Sequence, residues 1–520
     1  MYHNDKNKII NNNKLPKSIR SVVKRYPSNQ VNRLYYGGLP HIGNALWGSW
    51  NSQEVKEAAE AYENYSLSDN LLITGFDPPE IKKIRLGGGS PARFKPFNPC
   101  IKEIEKTVKN KTLSDYPMAA GDVEHKTNII EYFKKNNIKN INENNIIFTH
   151  SSTQAFTLIM EAILDYGDVV IMTSPNYGLF SFIPERTGGK VRFLKLEKIN
   201  DWKIDPRKLS KLILEINKEL KSDYDMNRQK YIFRRSDIAP RVVAFVNINP
   251  HNPLGTVYGE KEKNILSEIA KTCKESGVFI IDDLVYSGLE FNKKNLAIPM
   301  CLLKENFDNT ITIYSLSKSY GLASLRSGVI ICNEIISSLI RDRIFQNSDS
   351  LSVIQSSAMS VIFSNKAQIK KERSKYFSYI AKEYYERYIF VKGIIKGKDS
   401  ISKKENLLLS KILKKNKINN IENLFSGIKD IDIITEPQSG FFLLLDMSKL
   451  LGKKYKGFKI CNEKSLLQFL YTSNNVKALT GKAFCWPNNN QLIIRVTTAL
   501  EYKDLLESFL KLKNSIESLS

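Results

Sequence analysis

The chain has 520 residues, 42 % hydrophobic and 25 % charged, which excludes wholesale disorder and leaves room for more than one hydrophobic core. Its 78 basic and 54 acidic residues give a net charge of +24, but the lysines are dispersed among many Asn and Ile residues, so the charge reads as composition before it reads as a nucleic-acid surface. No apolar run is as long as a membrane span, Met1–Arg20 has no apolar signal region, and neither the six cysteines nor the five histidines are spaced as metal ligands, so a cytoplasmic protein without structural metal is expected.

Residues 1–80 are polar and broken by Pro16, Pro27 and Pro40, with one helix predicted at Ser52–Tyr65. From about residue 125 helices and short apolar runs alternate. Helical patterns at Lys126–Lys135, Thr153–Leu164 and Glu260–Ser276 accompany strand-like runs at Val169–Thr173, Val242–Asn247, Val278–Ile281 and Thr310–Tyr314. Such alternation predicts an α/β domain with a mainly parallel, buried sheet. Residues 198–240 interrupt the rhythm and read as an insertion. A long helix is predicted over residues 366–400 and a lysine- and asparagine-rich surface excursion over 401–430. Strands are then expected near Ile431–Thr435, Gly440–Leu445 and Leu492–Thr497.

Three strand ends carry chemistry. Thr310–Tyr314 runs into Ser315-Leu316-Ser317-Lys318, and Arg326 follows eight positions later. Small hydroxyl residues, one lysine and one arginine suit Schiff-base chemistry beside a phosphate, although an exposed loop lysine would look the same. Val242–Asn247 leads to Asn249-Pro250-His251-Asn252-Pro253, a tight turn that leaves Asn252 as a side-chain donor. Val278–Ile281 leads to Asp282-Asp283-Leu284-Val285-Tyr286; strand C-termini are where open α/β sheets bind ligands, and a lone Asp there can also cap a helix.

In order, spacing and strand context these motifs resemble the fold-type I, pyridoxal-phosphate-dependent class I/II aminotransferases from Ile84 to Arg495. The resemblance implies an aminotransferase-like α/β fold with a large domain, built on a mainly parallel seven-stranded sheet, and a smaller α/β domain. It implies an N-terminal arm and extension over 1–83 and a large cofactor-binding domain over 84–365 with an insertion at about 198–240. The small domain would span 366–520, joined by part of the N-terminal segment. Pyridoxal 5'-phosphate is the implied cofactor, and an amino acid and a 2-oxo acid are the implied substrates.

By position, Lys318 resembles the lysine that binds the cofactor and shuttles the proton. Asp283 resembles the carboxylate that keeps the pyridine nitrogen protonated, with Asp282 as its rival; the spacing to Tyr286 favours Asp283. Tyr286 and Asn252 match the contacts to the cofactor 3'-oxygen. Ser152, Thr153, Ser315 and Arg326 match the phosphate contacts, with Ser151 where the family usually has glycine. Tyr177 matches the stacking ring. Tyr116, with Gly121, matches the tyrosine that reaches the phosphate of the neighbouring subunit, which implies a homodimer with shared sites. Gly89 and Arg495 match the substrate segment and the α-carboxylate anchor; an arginine inside the apolar run Leu492–Val496 needs an anion or a structural partner.

Transamination is the first reading. Local phrases also resemble aminocyclopropane-carboxylate synthase, so a lyase, decarboxylase or oxidase of the same fold is the alternative. However, Gly87-Gly88-Gly89-Ser90 lacks the acidic residue typical of that synthase's N-terminal motif. A fused transcription regulator would suit the charge, but residues 1–83 are short for a DNA-binding domain with its linker and show no clear helix-turn-helix pattern.

Overall fold

A computed structural model describes residues 84–418, 422–474, 476–488 and 490–520. The helix expected at Ser52–Tyr65 lies outside the described residues. The apolar runs become the middle of a seven-stranded sheet: β1 Ile146–Thr149, β2 Val169–Ser174, β3 Lys190–Lys195, β4 Val242–Ile248, β5 Phe279–Asp283, β6 Thr310–Ser315 and β7 Gly328–Ile331. Their spatial order is β1-β7-β6-β5-β4-β2-β3. Only β7 runs against its neighbours, β1 and β6, so the sheet is mainly parallel.

Every residue of β1, β2, β4 and β7 is buried, as a sheet covered on both faces requires. Alternate side chains serve the two faces: Ile147 joins one core with Phe156 and Ile159, while Ile146 and Phe148 join another with Ile129 and Phe133. Helices α1 (Val123–Lys135) and α2 (Ser152–Ile163) supply those partners. The exception is β3, an edge strand with Lys190, Phe193 and Lys195 exposed, and its polar pattern gives no apolar run in the sequence. The interruption at 198–240 holds α3, Pro206–Met226, which Asp205 caps and which packs on α4, Lys263–Glu275, burying Leu209, Ile213 and Ile216.

By its internal contacts the chain forms two units, one of residues 90–385 with 437–441 and one of residues 386–436 and 442–520 with the described residues up to Gly89. In the first unit α5, Val353–Val361, precedes α6, Ala367–Lys396, whose 30 residues continue into the second. The second unit has an antiparallel sheet of β8 Asp432–Ile433, β9 Phe442–Asp446, β10 Leu479–Thr480 and β11 Ile493–Thr497 in the order β10-β11-β9-β8. Residues 401–430 are not a plain excursion. They contain α7, Lys403–Lys415, which starts with a Ser402/Glu405 capping box and buries Leu409 and Ile412. Its Glu405 also accepts a bond of 2.7 Å from the buried Lys392.

Candidate active site

The C-terminal ends of β1, β2, β4, β5 and β6 lie along one edge of the large sheet, and the start of the antiparallel β7 joins them. At β1 the chain turns into α2. Ser151 Oγ caps the helix by accepting from the Gln154 N–H, and Gln154 Oε1 accepts from the His150 N–H at 2.7 Å. Among the described residues the N–H groups and hydroxyls of Ser152 and Thr153 make no protein hydrogen bond, so an open helix start presents donors to an anion.

A second strand pair closes the same corner. Gly328 pairs with Thr149 on one side and Ser315 on the other. A Cβ on Gly328 would sit 2.8 Å from Ser151 C and Thr149 Oγ1, so only glycine lets β7 approach the α2 turn this closely. Ser315 is buried, donates to Ser327 O at 2.9 Å and accepts from the Ser317 N–H at 3.2 Å. Arg326 is exposed and left-handed, with φ at 56°. The Gln355 amide on α5 fixes that turn by donating to Leu325 O (2.9 Å) and Arg326 O (3.0 Å), while Ser327 Oγ donates to Gln355 O. Gly328 and Gln355 were not singled out from the sequence; the small residue at the head of a strand was the available signal for the first, and none marked the second.

The two aspartates at the end of β5 face opposite ways. Asp282 is committed: Oδ1 accepts from Asn247 Nδ2 at 2.8 Å and Oδ2 from the Met300 N–H at 2.7 Å. Asp283 Oδ1 accepts only from the Val285 N–H at 3.0 Å, and its other oxygen takes no hydrogen bond among the described residues. Burial pushes both carboxyls up to about 7. Asp283 is therefore a buried acid that ionises readily only beside a positive charge. The half-buried Lys318 sits in the turn after β6, which Ser319 Oγ ties to Val285 O at 3.0 Å, joining the lysine turn to the aspartate turn.

The remaining residues occupy the neighbouring strand ends. Asn252 is buried in the turn after β4. His251 holds that turn: its Nδ1 accepts from the Leu254 N–H, so Nε2 carries the proton and donates to Thr173 Oγ1 at 3.1 Å on β2. Burial pushes this imidazole down to about 3, so it is neutral and structural. Tyr177 is half-buried after β2, edge-on to Phe180 at 5.2 Å. Tyr286 is buried beside Phe441, with ring centroids 5.7 Å apart. Tyr116 is 89 % exposed. The turn behind it is tight: Gly121 has φ at 85°, and a Cβ there would lie 2.3 Å from the Phe148 ring.

The two substrate anchors belong to the second unit, where the fold brings them to one place. Arg495 stands in the middle of β11, between Leu444 and Leu479, and is buried. Its guanidinium carbon lies 3.9 Å from the Phe442 ring centroid, and Nη2 donates to Gly87 O at 3.1 Å. The Leu86 carbonyl accepts from the Thr497 N–H, so the glycine segment is laced to the arginine strand. The close approach is at Gly87, where a Cβ would be 3.1 Å from the Ala478 and Leu479 backbone; at Gly89 it would meet open space.

The family model for aminotransferase class I and II matches residues 81–510. A probable aspartate/prephenate aminotransferase of Aquifex aeolicus is 25 % identical over 419 residues, covering 81 % of this chain and 88 % of that protein. 1-Aminocyclopropane-1-carboxylate synthase 4 of Arabidopsis thaliana is 29 % identical over 208 residues, covering 38 % of this chain and 40 % of that one. Among solved structures, the aspartate aminotransferase of Rhizobium meliloti shares the fold with a TM-score of 0.65 at 18 % identity, covering 90 % of this chain and 96 % of that one.

Proposed function

Because the chain belongs to the class I and II aminotransferase family, we propose that the strand-end cluster of its larger unit is the place where this pyridoxal 5'-phosphate-dependent aminotransferase works. The observation that carries the assignment is the asymmetry of the two aspartates: one carboxylate is fully bonded, and the other keeps an oxygen for a cation at a strand end tied to the lysine turn.

The residues fit the cofactor. The open helix start at Ser152 and Thr153, with Ser315 and Arg326, suits a phosphate dianion. Asp283 suits a protonated ring nitrogen, Asn252 and Tyr286 suit the ring oxygen, and Tyr177 suits the ring face. When bound, the cofactor supplies the electron sink that makes the substrate α-hydrogen acidic. Lys318 Nζ holds the cofactor and then takes the α-proton as general base. Arg495 holds the α-carboxylate through paired donors, its plane set by Phe442 and Gly87 O. The substrates are an amino acid and a 2-oxo acid.

Tyr116 supports a homodimer. A tyrosine 89 % exposed, beside Met118 at 63 % and Val123 at 48 %, suits a surface that a second copy covers, with Tyr116 reaching that copy's phosphate site. Among the described residues no helix is long and apolar enough to cross a membrane; the cytoplasm is the location we propose, as an amino-acid-metabolising member of this family suits it. The test is optical. The visible band of the loaded protein should bleach with an amino donor and return with a 2-oxo acid. Bleaching with release of carbon dioxide or an elimination product, and no return, would move the enzyme to another reaction of this fold.

A further inference from the structure

On the larger unit a cavity of about 500 Å³ opens behind the lysine turn. Ser315, Ser319, Leu284 and Ser287 line it, whereas Lys318, Asp283 and Tyr286, their neighbours in sequence, do not. Its volume is that of a small-ligand site.

The walls are aromatic. Phe363 meets Tyr132 at 5.4 Å and Tyr314 at 5.1 Å between centroids, both edge-on, and Tyr320 leans on Phe377 at 5.2 Å. Tyr320 is only 8 % exposed and borders the cavity, yet among the described residues its hydroxyl has no hydrogen-bond partner; the hydroxyls of Tyr132 and Tyr314 have none either. Phenol hydroxyls that border a cavity without a protein partner mark a place where a polar group can be received.

The rim is cationic. Lys370 and Arg373 stand one turn apart on α6, and Lys293 joins them from the loop after β5. Among the described residues none of the three is paired with an acid. Glu290 is the cavity's one carboxylate, and its oxygens already accept from the Gly288 N–H at 2.8 Å and the Ala297 N–H at 3.1 Å. The Lys135 amine beside Lys370 holds that lysine below its ordinary range, the signature of ammonium groups crowded without a counter-charge.

We propose that this cavity, which shares only Ser315 with the catalytic cluster, is a second binding site for a small aromatic carboxylate. The carboxylate takes the Lys370 ammonium and the Arg373 fork, the ring lies against Tyr314 and Phe363, and a polar substituent meets the tyrosine hydroxyls. The site is new to the reading above and does not depend on it.

The test is calorimetric titration of the cofactor-loaded enzyme with 3-(4-hydroxyphenyl)propionate, which has neither an amino nor a 2-oxo group and cannot react. Binding should persist in Arg495→Gln, weaken at least about tenfold in Lys370→Gln/Arg373→Gln, and weaken in high salt. Lys370→Gln alone, at a half-buried residue with no acidic partner, should show a smaller loss and keeps the test valid if the double variant misfolds. Absence of binding at millimolar ligand, binding lost in Arg495→Gln but kept in the double variant, or equal affinity for inorganic phosphate would each overturn the proposal.

Discussion

The larger and smaller units build their candidate anion sites by different means. In the larger unit the cradle is made of main chain and small hydroxyls, and neighbours fix its frame: Gly328 admits the strand, Gln355 pins the Arg326 turn, and Ser315 is tied to Ser327. In the smaller unit one guanidinium does the work, set against the Phe442 ring face and bonded to the Gly87 carbonyl. A resident cofactor rewards many weak, preset contacts, because their ordering is completed once on folding. A substrate that arrives and leaves each turnover is better served by one strong, always-charged fork that can release it.

The comparison breaks outright if the lysine turn is dispensable. Lys318→Ala should lower kcat by about 10⁴ or more while leaving circular dichroism unchanged, since it removes both the covalent tether and the base. Turnover near the wild-type rate would end the assignment. The aspartates give the next largest effect. Asp283→Asn should cost roughly 10²–10³ in kcat. Asp282→Asn, whose parent carboxylate already serves Asn247 and Met300, should act on thermal stability and leave kcat within a few fold. Reversed outcomes would exchange the two roles.

A smaller loss is expected in the other unit. Arg495→Gln should raise KM for the amino acid about 10- to 100-fold by leaving its carboxylate without a paired donor. It should not change cofactor affinity measured by equilibrium dialysis. A cofactor defect would mean that the arginine supports the fold rather than the substrate.

Legibility followed burial. Four strands of the large sheet announce themselves as apolar runs because both faces are covered. The edge strand β3, with exposed lysines, carries no such signal. Helix α7 was hidden by lysine-rich composition, although Ser402 and Glu405 spell its capping box. At the site, the sequence marks residues at strand ends but not the bonds that commit them. Only the spacing to Tyr286 separates Asp282 from Asp283 on paper; the structure separates them by alternation along β5 and by the partners Asn247 and Met300 from distant segments. Gly87 and Arg495 lie 408 positions apart, and the fold joins them through the guanidinium bond to Gly87 O and the Thr497 N–H bond to Leu86 O.

The smallest expected effect sharpens the contrast through pH. Burial raises Asp283 from 3.8 to about 7 in the protein as described, without a cation beside it. The unfolded chain then loses this proton first as pH rises from about 4, so the cofactor-free protein loses stability across about pH 4–7, and the loss is complete above that window. A ring nitrogen bearing a proton beside Asp283 removes the penalty, so the gain in Tm on adding cofactor should be larger at pH 8 than at pH 5. In Asp283→Asn the gain should change less with pH. His251 works in the opposite sense: its folded value is depressed, so its contribution is present above about 6.5 and lost as pH falls. It makes no contact with the cofactor on this reading, so it contributes equally to loaded and cofactor-free protein and cancels in the difference. The arginine of the smaller unit keeps its charge throughout, so amino-acid binding there should stay flat over the same range once the amino group's own titration is removed. A cofactor gain equally pH-dependent in wild type and Asp283→Asn would place the titrating group elsewhere on the cradle.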